Sequence, residues 1–351
     1  MHNLNSTTQT HAGACNARLA TEKVLTGDRP TGSLHLGHFV GSLKQRVLLQ
    51  QQYQQTILVA DMQGLTDNGF KPTLVAANIL NLVADYLAVG IEPSKTTICL
   101  QSALPALAEL TMYYSNLVTV ARLERNPTVK NEIANKAFGQ SVPAGFLTYP
   151  ISQAADITGF MGTLVPVGDD QLPMIEQTNE IVRKVNHIAG QTILVECKPL
   201  LSQTPRLVAP DGKNKMSKSM GNCIYLGSDP QTIRKAVQSM YTDPNHLNIS
   251  DPGRIEGNVV FSYLDAFHPE PDTVAKLKIH YRQGGLGDGQ VKKQLEECLQ
   301  QLLAPIRAKR ELYLSDKQQL LDILKAGTEL AQQETEIVVK QVKNVFGLSL
   351  F

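Results

Sequence analysis

Paired cysteines are missing from this 351-residue sequence: Cys15, Cys99, Cys197, Cys223 and Cys298 are scattered and odd in number. That pattern excludes a disulfide framework and a Cys-x-x-Cys zinc site, and it suits free thiols in a reducing cytoplasm. Long hydrophobic runs are also missing. The most apolar stretch, ILNLVADYLAVGI from Ile79, is interrupted by Asn81 and Asp85 and is far too short to cross a bilayer. No membrane span is expected. An excess of either charge is lacking as well, with 33 Lys and Arg against 32 Asp and Glu. Without an overall field to draw nucleic acid unselectively, any nucleic-acid site must be local. Residues 1–22, rich in Asn, Thr, Gln and Ala, have neither the basic start nor the apolar centre of a signal peptide. They read as a mobile N-terminal extension.

What remains is an ordinary globular balance, 42% hydrophobic and 19% charged, long enough for more than one structural unit. From Val24 onward, short apolar runs alternate with amphipathic segments, which predicts an α/β fold with a parallel sheet. TILVAD (56–61) and TTICLQ (96–101) read as strands, and LVAANILNLVADYLAVG (74–90) as a helix ended by Gly90. Ligands should then sit beyond the carboxyl ends of the strands. The polar segment 122–149, punctuated by Pro127, Gly139 and Pro143, reads as an insertion, and a helix over 150–161 returns to the core. GTLVPVGDDQ joins a strand to a helix starting near Asp169 or Asp170. From Asp229 on, segments such as 291–313 and 328–346 have helical periodicity and predict a helical C-terminal domain.

Two short stretches carry chemistry. In SLHLGHFVG (33–41), His35 and His38 fall where a strand and turn enter a helix. Two imidazoles at i and i+3 lack the further ligands that zinc needs, so two readings stay open. They simply start the helix, or they add donors to a phosphate site that the helix N-terminus already favours, with Gly37 allowing close approach. The second stretch, KNKMSKSMGN (213–222), reads either as a solvated surface loop or as a mobile lysine loop that closes over a polyphosphate.

Together and in this order, with Lys215 placed 180 residues after His35, the two stretches resemble the paired ATP signatures of the class I aminoacyl-tRNA synthetases. Lys215-Met216-Ser217-Lys218-Ser219 matches the second signature at all five positions. The resemblance implies a Rossmann-like catalytic domain over 23–228 with an insertion around 100–150, and a helical anticodon-binding domain over 229–351. It also implies ATP as substrate, with Mg²⁺ bound through its phosphates rather than by protein ligands. His35, Gly37 and His38 would serve the nucleotide together with Lys130 and the Lys215–Ser219 loop.

LTYPISQAADI (147–157) and LVPVGDDQ (164–171) are similar to the amino-acid helix and nucleotide loop of the tryptophanyl and tyrosyl branch, and closer to its tryptophanyl enzymes. An indole N–H only donates, so its pocket needs an acceptor, and Asp156 stands where those enzymes place one. Taken alone, Asp156 would be a helix-surface carboxylate paired with a base. By the same resemblance Gly27, Tyr149 and Val165 lie beside the amino acid; Gly168, Asp170 and Gln171 contact ATP; and Asp28, Arg29 and Thr31 lie near it. Tyr149 and Val165 read equally well as core residues.

The expected activity is ATP-dependent activation of L-tryptophan and its transfer to tRNA(Trp) by a cytoplasmic homodimer contacting through 100–150. Against a tyrosyl enzyme stands the absence of any tyrosine before Tyr53 to complement a phenol. Against a nucleotidyltransferase stands the full Lys-Met-Ser-Lys-Ser. A synthetase-like regulator that binds amino acid or RNA remains the alternative from another class. The sequence departs from the common tryptophanyl pattern at Leu25, Asp28-Arg29, His35 to His38, Glu132 and Gln153, which resembles a divergent second subgroup. Arg307, Lys309 and Arg310 form a basic cluster suited to RNA or to a solvated helix face.

Overall fold

The computed structural model describes residues 22–66, 68–136, 138, 141–201, 207–212, 216 and 222–350. Five strands, β1 (Lys23–Asp28), β2 (Gln54–Val59), β3 (Thr96–Leu100), β4 (Leu164–Val167) and β5 (Lys198–Leu201), form one parallel sheet in the order β3-β2-β1-β4-β5. The order reverses at β1, so the carboxyl end of β1 opens the crevice where such sheets bind ligands.

Alternation along the strands sends neighbours to opposite faces. Ile57, Val59 and Ile98 join a core with the helix over 36–49 (α1), α3 (Pro72–Ala88) and α12 (Asp288–Ser315). Leu58 and Cys99 instead meet residues of α4 (Pro105–Ser115) and α7 (Ala144–Gly159), together with Val165. Helices thus cover both faces, with α2 (Asp61–Gly64), α5 (Val120–Glu124) and α6 (Pro127–Lys136) between them in sequence. A further helix, α8 (Leu172–Ala189), packs on α7 and stops at Gly190, whose φ of +66° suits a glycine.

The C-terminal part is helical as expected: α9 (Pro230–Gln238), α10 (Val259–Phe267), α11 (Pro271–Gln283), α12 and α13 (Lys317–Val345). The apolar core nonetheless runs from Leu34 to Leu324 without a break at residue 228. α13 lies so close on β3 that a Cβ at Gly327 would stand 2.1 Å from the Ile98 carbonyl oxygen. Thr328 accepts the Leu100 backbone N–H at 3.0 Å, giving the edge strand a partner.

The helix expected over 150–161 begins six residues earlier, at Ala144. Pro150 suggests a boundary because it lacks an N–H for the carbonyl one turn back, yet the sixteen-residue helix continues through it. Packing of Phe146, Ile151 and Ala154 outweighs the lost bond.

Candidate active site

The carboxyl end of β1 opens into a cavity of about 1490 Å³, larger than the 300–1,000 Å³ typical of one small ligand. Gly27, Asp28, Arg29, Thr31, His35, Gly37, His38, Tyr149, Asp156, Val165, Gly168, Asp170, Gln171 and Met216 all line it. Lys130 does not; it is exposed on α6, and Lys136 reaches the cavity instead. Lys215, Ser217, Lys218 and Ser219 lie outside the described residues.

His35 and His38 build the start of α1. His35 Nδ1 accepts from the Gly37 N–H at 3.1 Å, and His38 Nδ1 accepts from the His35 N–H at 3.2 Å. This reciprocal cap satisfies two amides that the helix itself leaves open. It also commits both Nδ1 atoms as acceptors, so each neutral ring carries its proton on Nε2. The two readings of the stretch are therefore compatible: one nitrogen starts the helix and the other is a donor. Phe39–Leu43 then form a π-helical turn, a widening often found at functional sites.

The two ATP-type signatures meet. A Cβ on Gly37 would lie 3.0 Å from the His35 ring and 3.2 Å from Met216 Cε. Met216 is buried beneath Tyr263, whose hydroxyl is 3.7 Å from its sulfur. Just beyond, Leu36 donates to the Ile224 carbonyl at 2.9 Å and Leu226 to the Leu34 carbonyl at 3.0 Å. This short antiparallel bridge ties the segment that follows the second signature to the first.

At the cavity floor Asp156 is buried, and Gln101 Nε2 donates to both its oxygens at 2.9 Å. The Gln63 N–H, donating to Gln101 Oε1 at 3.1 Å, fixes which way that amide points. Burial pushes the Asp156 carboxyl up to about 7, against the opposing pull of the Gln101 hydrogen bond. The helix-surface ion pair considered for Asp156 is thus replaced by a buried carboxylate held by a neutral amide. Val165 is both core and cavity wall. Gly27 is needed on another side, since a Cβ there would come 2.6 Å from the Leu58 carbonyl oxygen of β2.

Sequence reasoning did not find Gln101, nor the network at Asp28. Arg46 of α1 donates to Asp28 at 2.6 and 3.3 Å, and the Tyr86 hydroxyl of α3 donates at 2.7 Å. Burial would raise the Asp28 carboxyl, but the Arg46 charge and the hydrogen bonds from Arg46 and Tyr86 hold it at about 2. A charged residue spaced one helical turn from apolar neighbours was the available signal for Arg46. On α6, Glu132 accepts from the Tyr149 hydroxyl at 3.1 Å. Burial, followed by the Glu132 charge, pushes the Tyr149 phenol well above its ordinary range. Two members of the basic cluster turn inward: Arg310 Nε binds Asp85 at 2.5 Å, and Arg307 donates to the Ser228 carbonyl at 2.8 Å.

The profile of the tRNA synthetases class I (W and Y) family matches residues 20–304. The tryptophan–tRNA ligase of Clostridium longisporum is 53% identical over 337 residues, 95% of this chain and 99% of that protein. That of Streptococcus mutans is 54% identical over 335 residues, 93% of this chain and 98% of that protein. Among solved structures, the tryptophanyl-tRNA synthetase of Campylobacter jejuni, complexed with ADP and tryptophan, superposes with a TM-score of 0.82 at 31% identity. The match covers 93% of this chain and all of that one. The crevice at β1, the joined signatures and these likenesses agree: the chain belongs to the class I tRNA synthetases, among the tryptophan–tRNA ligases.

Proposed function

We propose that the protein activates L-tryptophan with ATP to tryptophanyl-adenylate and transfers the tryptophanyl group to tRNA(Trp). The observation that carries the choice of amino acid is that Asp156 is a buried carboxylate lining the cavity, the kind of acceptor that an indole N–H requires. The substrate carboxylate attacks the α-phosphorus, a phosphorus–oxygen bond breaks, and pyrophosphate leaves. No side-chain nucleophile is required, so the chain contributes position and charge. His35 and His38 donate from Nε2 towards the phosphates. Gly168, Asp170, Gln171, Arg29 and Thr31 shape the nucleotide side, joined by Lys136 and by the Lys215–Ser219 loop. Mg²⁺ would be held by the phosphates of ATP rather than by side chains, and would supply charge neutralisation there.

The helices after residue 229 read the tRNA anticodon. Exposed Met112 and Val120, on α4 and α5, support a homodimer contact within 100–150. Among the described residues no helix is long and apolar enough to cross a membrane; a cytoplasmic location fits that and the free cysteines. ATP–pyrophosphate exchange with each amino acid in turn tests the reading. Exchange driven by tryptophan is expected, and preference for tyrosine or no exchange at all overturns it.

A further inference from the structure

We infer that Arg310 is a positioning residue for adenylate formation: from α12, and through Asp85, it holds the two ATP-type signatures in register. The inference rests on the adenylate-forming reading above and assigns a residue which that reading does not use. Asp85 lies on α3 and is completely buried. Its two oxygens face different elements. One accepts from Arg310 Nε at 2.5 Å, and the other accepts the N–H of Leu34, the residue before His35, at 2.9 Å. The Leu34 carbonyl is held in turn by the Leu226 N–H at 3.0 Å. The residue that leads into the first signature is therefore fixed at both of its backbone polar groups.

The same turn of α12 grips the segment that follows the second signature. A Cβ on Gly227 would stand 3.4 Å from Arg310 Cδ and Nη1, so the guanidinium lies directly against that backbone. Arg307, one turn earlier on the same helix face, donates to the Ser228 carbonyl at 2.8 Å. A planar guanidinium suits this shared duty, since its Nε serves Asp85 while Nη2 reaches Asn81 Oδ1 at 3.4 Å. The donors of the first signature and the lysines of the second act on one triphosphate from separate stretches of chain. Their relative placement is therefore part of catalysis, and an error of about 1 Å can cost on the order of 100-fold in rate. Asp156 stands outside this arrangement, because α7 covers the opposite face of the sheet.

The test is the burst of adenylate formation by the full-length protein at saturating tryptophan, ATP and Mg²⁺. Its amplitude counts folded molecules, and its rate constant reads the chemistry in each of them. Arg310→Met strands the Asp85 charge, so melting temperature and amplitude should fall, and the rate constant should fall about tenfold or more. Adding Asp85→Asn removes the stranded charge and keeps an amide oxygen for the Leu34 N–H. The double variant should regain melting temperature and amplitude but not the rate constant, because the tie to α12 is still missing. Its Kd for tryptophan, measured by equilibrium dialysis, should match that of the unmodified protein. A rate constant that returns together with stability, or a single variant that loses amplitude alone, overturns this inference and leaves Arg310 with a structural role only. A tryptophan Kd that weakens in step with the rate overturns it as well. If the unmodified protein forms no adenylate with any amino acid, the functional reading falls and this inference with it.

Discussion

Gln101 Nε2 stands 2.9 Å from both carboxylate oxygens of Asp156, fifty-five residues away in sequence. A neutral amide lowers the cost of burying that carboxylate without cancelling its charge, so the group titrates near neutrality. The ionised form is the better acceptor for an indole N–H. The KM for tryptophan should therefore rise as pH falls through about 7. Gln101→Leu removes the donor and should move that limb to higher pH, while the pH dependence of the KM for ATP stays where it was. An unchanged tryptophan profile in Gln101→Leu would show that the amide does not set the charge of Asp156.

The same carboxylate should cost stability. Its folded value of about 7 lies above the unfolded value of 3.8, so the folded state holds the proton more tightly, and the penalty accumulates as pH rises from about 4 to 7. Three units correspond to on the order of 4 kcal/mol. Asp156→Asn should match the unmodified protein in denaturant midpoint at pH 4 and exceed it at pH 8, while losing tryptophan use by orders of magnitude. Equal midpoints at pH 8 would mean that burial does not strain this group.

Asp28 works in the opposite direction. Its folded value of about 2 lies below 3.8, so its contribution is complete above about pH 4 and is lost as pH falls through 2. Arg46→Met strands that carboxylate, and breaking a buried pair from one side typically costs about 3–5 kcal/mol. Urea unfolding at pH 7 should show a loss of that order, most of it recovered in Arg46→Met with Asp28→Asn. Failure of the double variant to recover would place the cost in packing around Tyr86 rather than in charge.

Two glycines separate folding from chemistry. In Gly27→Ala the new methyl meets the rigid Leu58 carbonyl oxygen at 2.6 Å, so melting temperature should fall, with a cost of about 1–3 kcal/mol. In Gly37→Ala it meets the His35 ring and Met216 Cε, two side chains of the paired signatures. Exchange rate should fall there at least tenfold, with melting changed far less. The reverse ranking of the two variants would contradict this division of roles.

The outline of this fold was legible because it rests on short-range periodicity: β1, β2, β3 and α3 lie within a few residues of where alternation and helical spacing put them. The residues lining the crevice were legible through the motifs that hold them. Their partners were not. Asp28 with Tyr86, Gln101 with Asp156 and Arg310 with Asp85 are separated by 58, 55 and 225 residues. Spacing shows which face of a helix is buried but not which charge it will meet there. The clearest case is Arg310, which belongs by sequence to a basic helix face and by structure to Asp85, whose other oxygen accepts the Leu34 N–H one residue before His35.

The seat of α13 on β3 has a consequence for biosynthesis. The edge strand is complete by residue 100, and among the described residues its outer flank is met by Gly327, Thr328 and the rest of a helix that ends at Val345. Chains emerge from the ribosome at roughly 5–20 residues per second. For more than ten seconds β3 therefore waits with an open flank, and the catalytic sheet closes only once the last helix has been made.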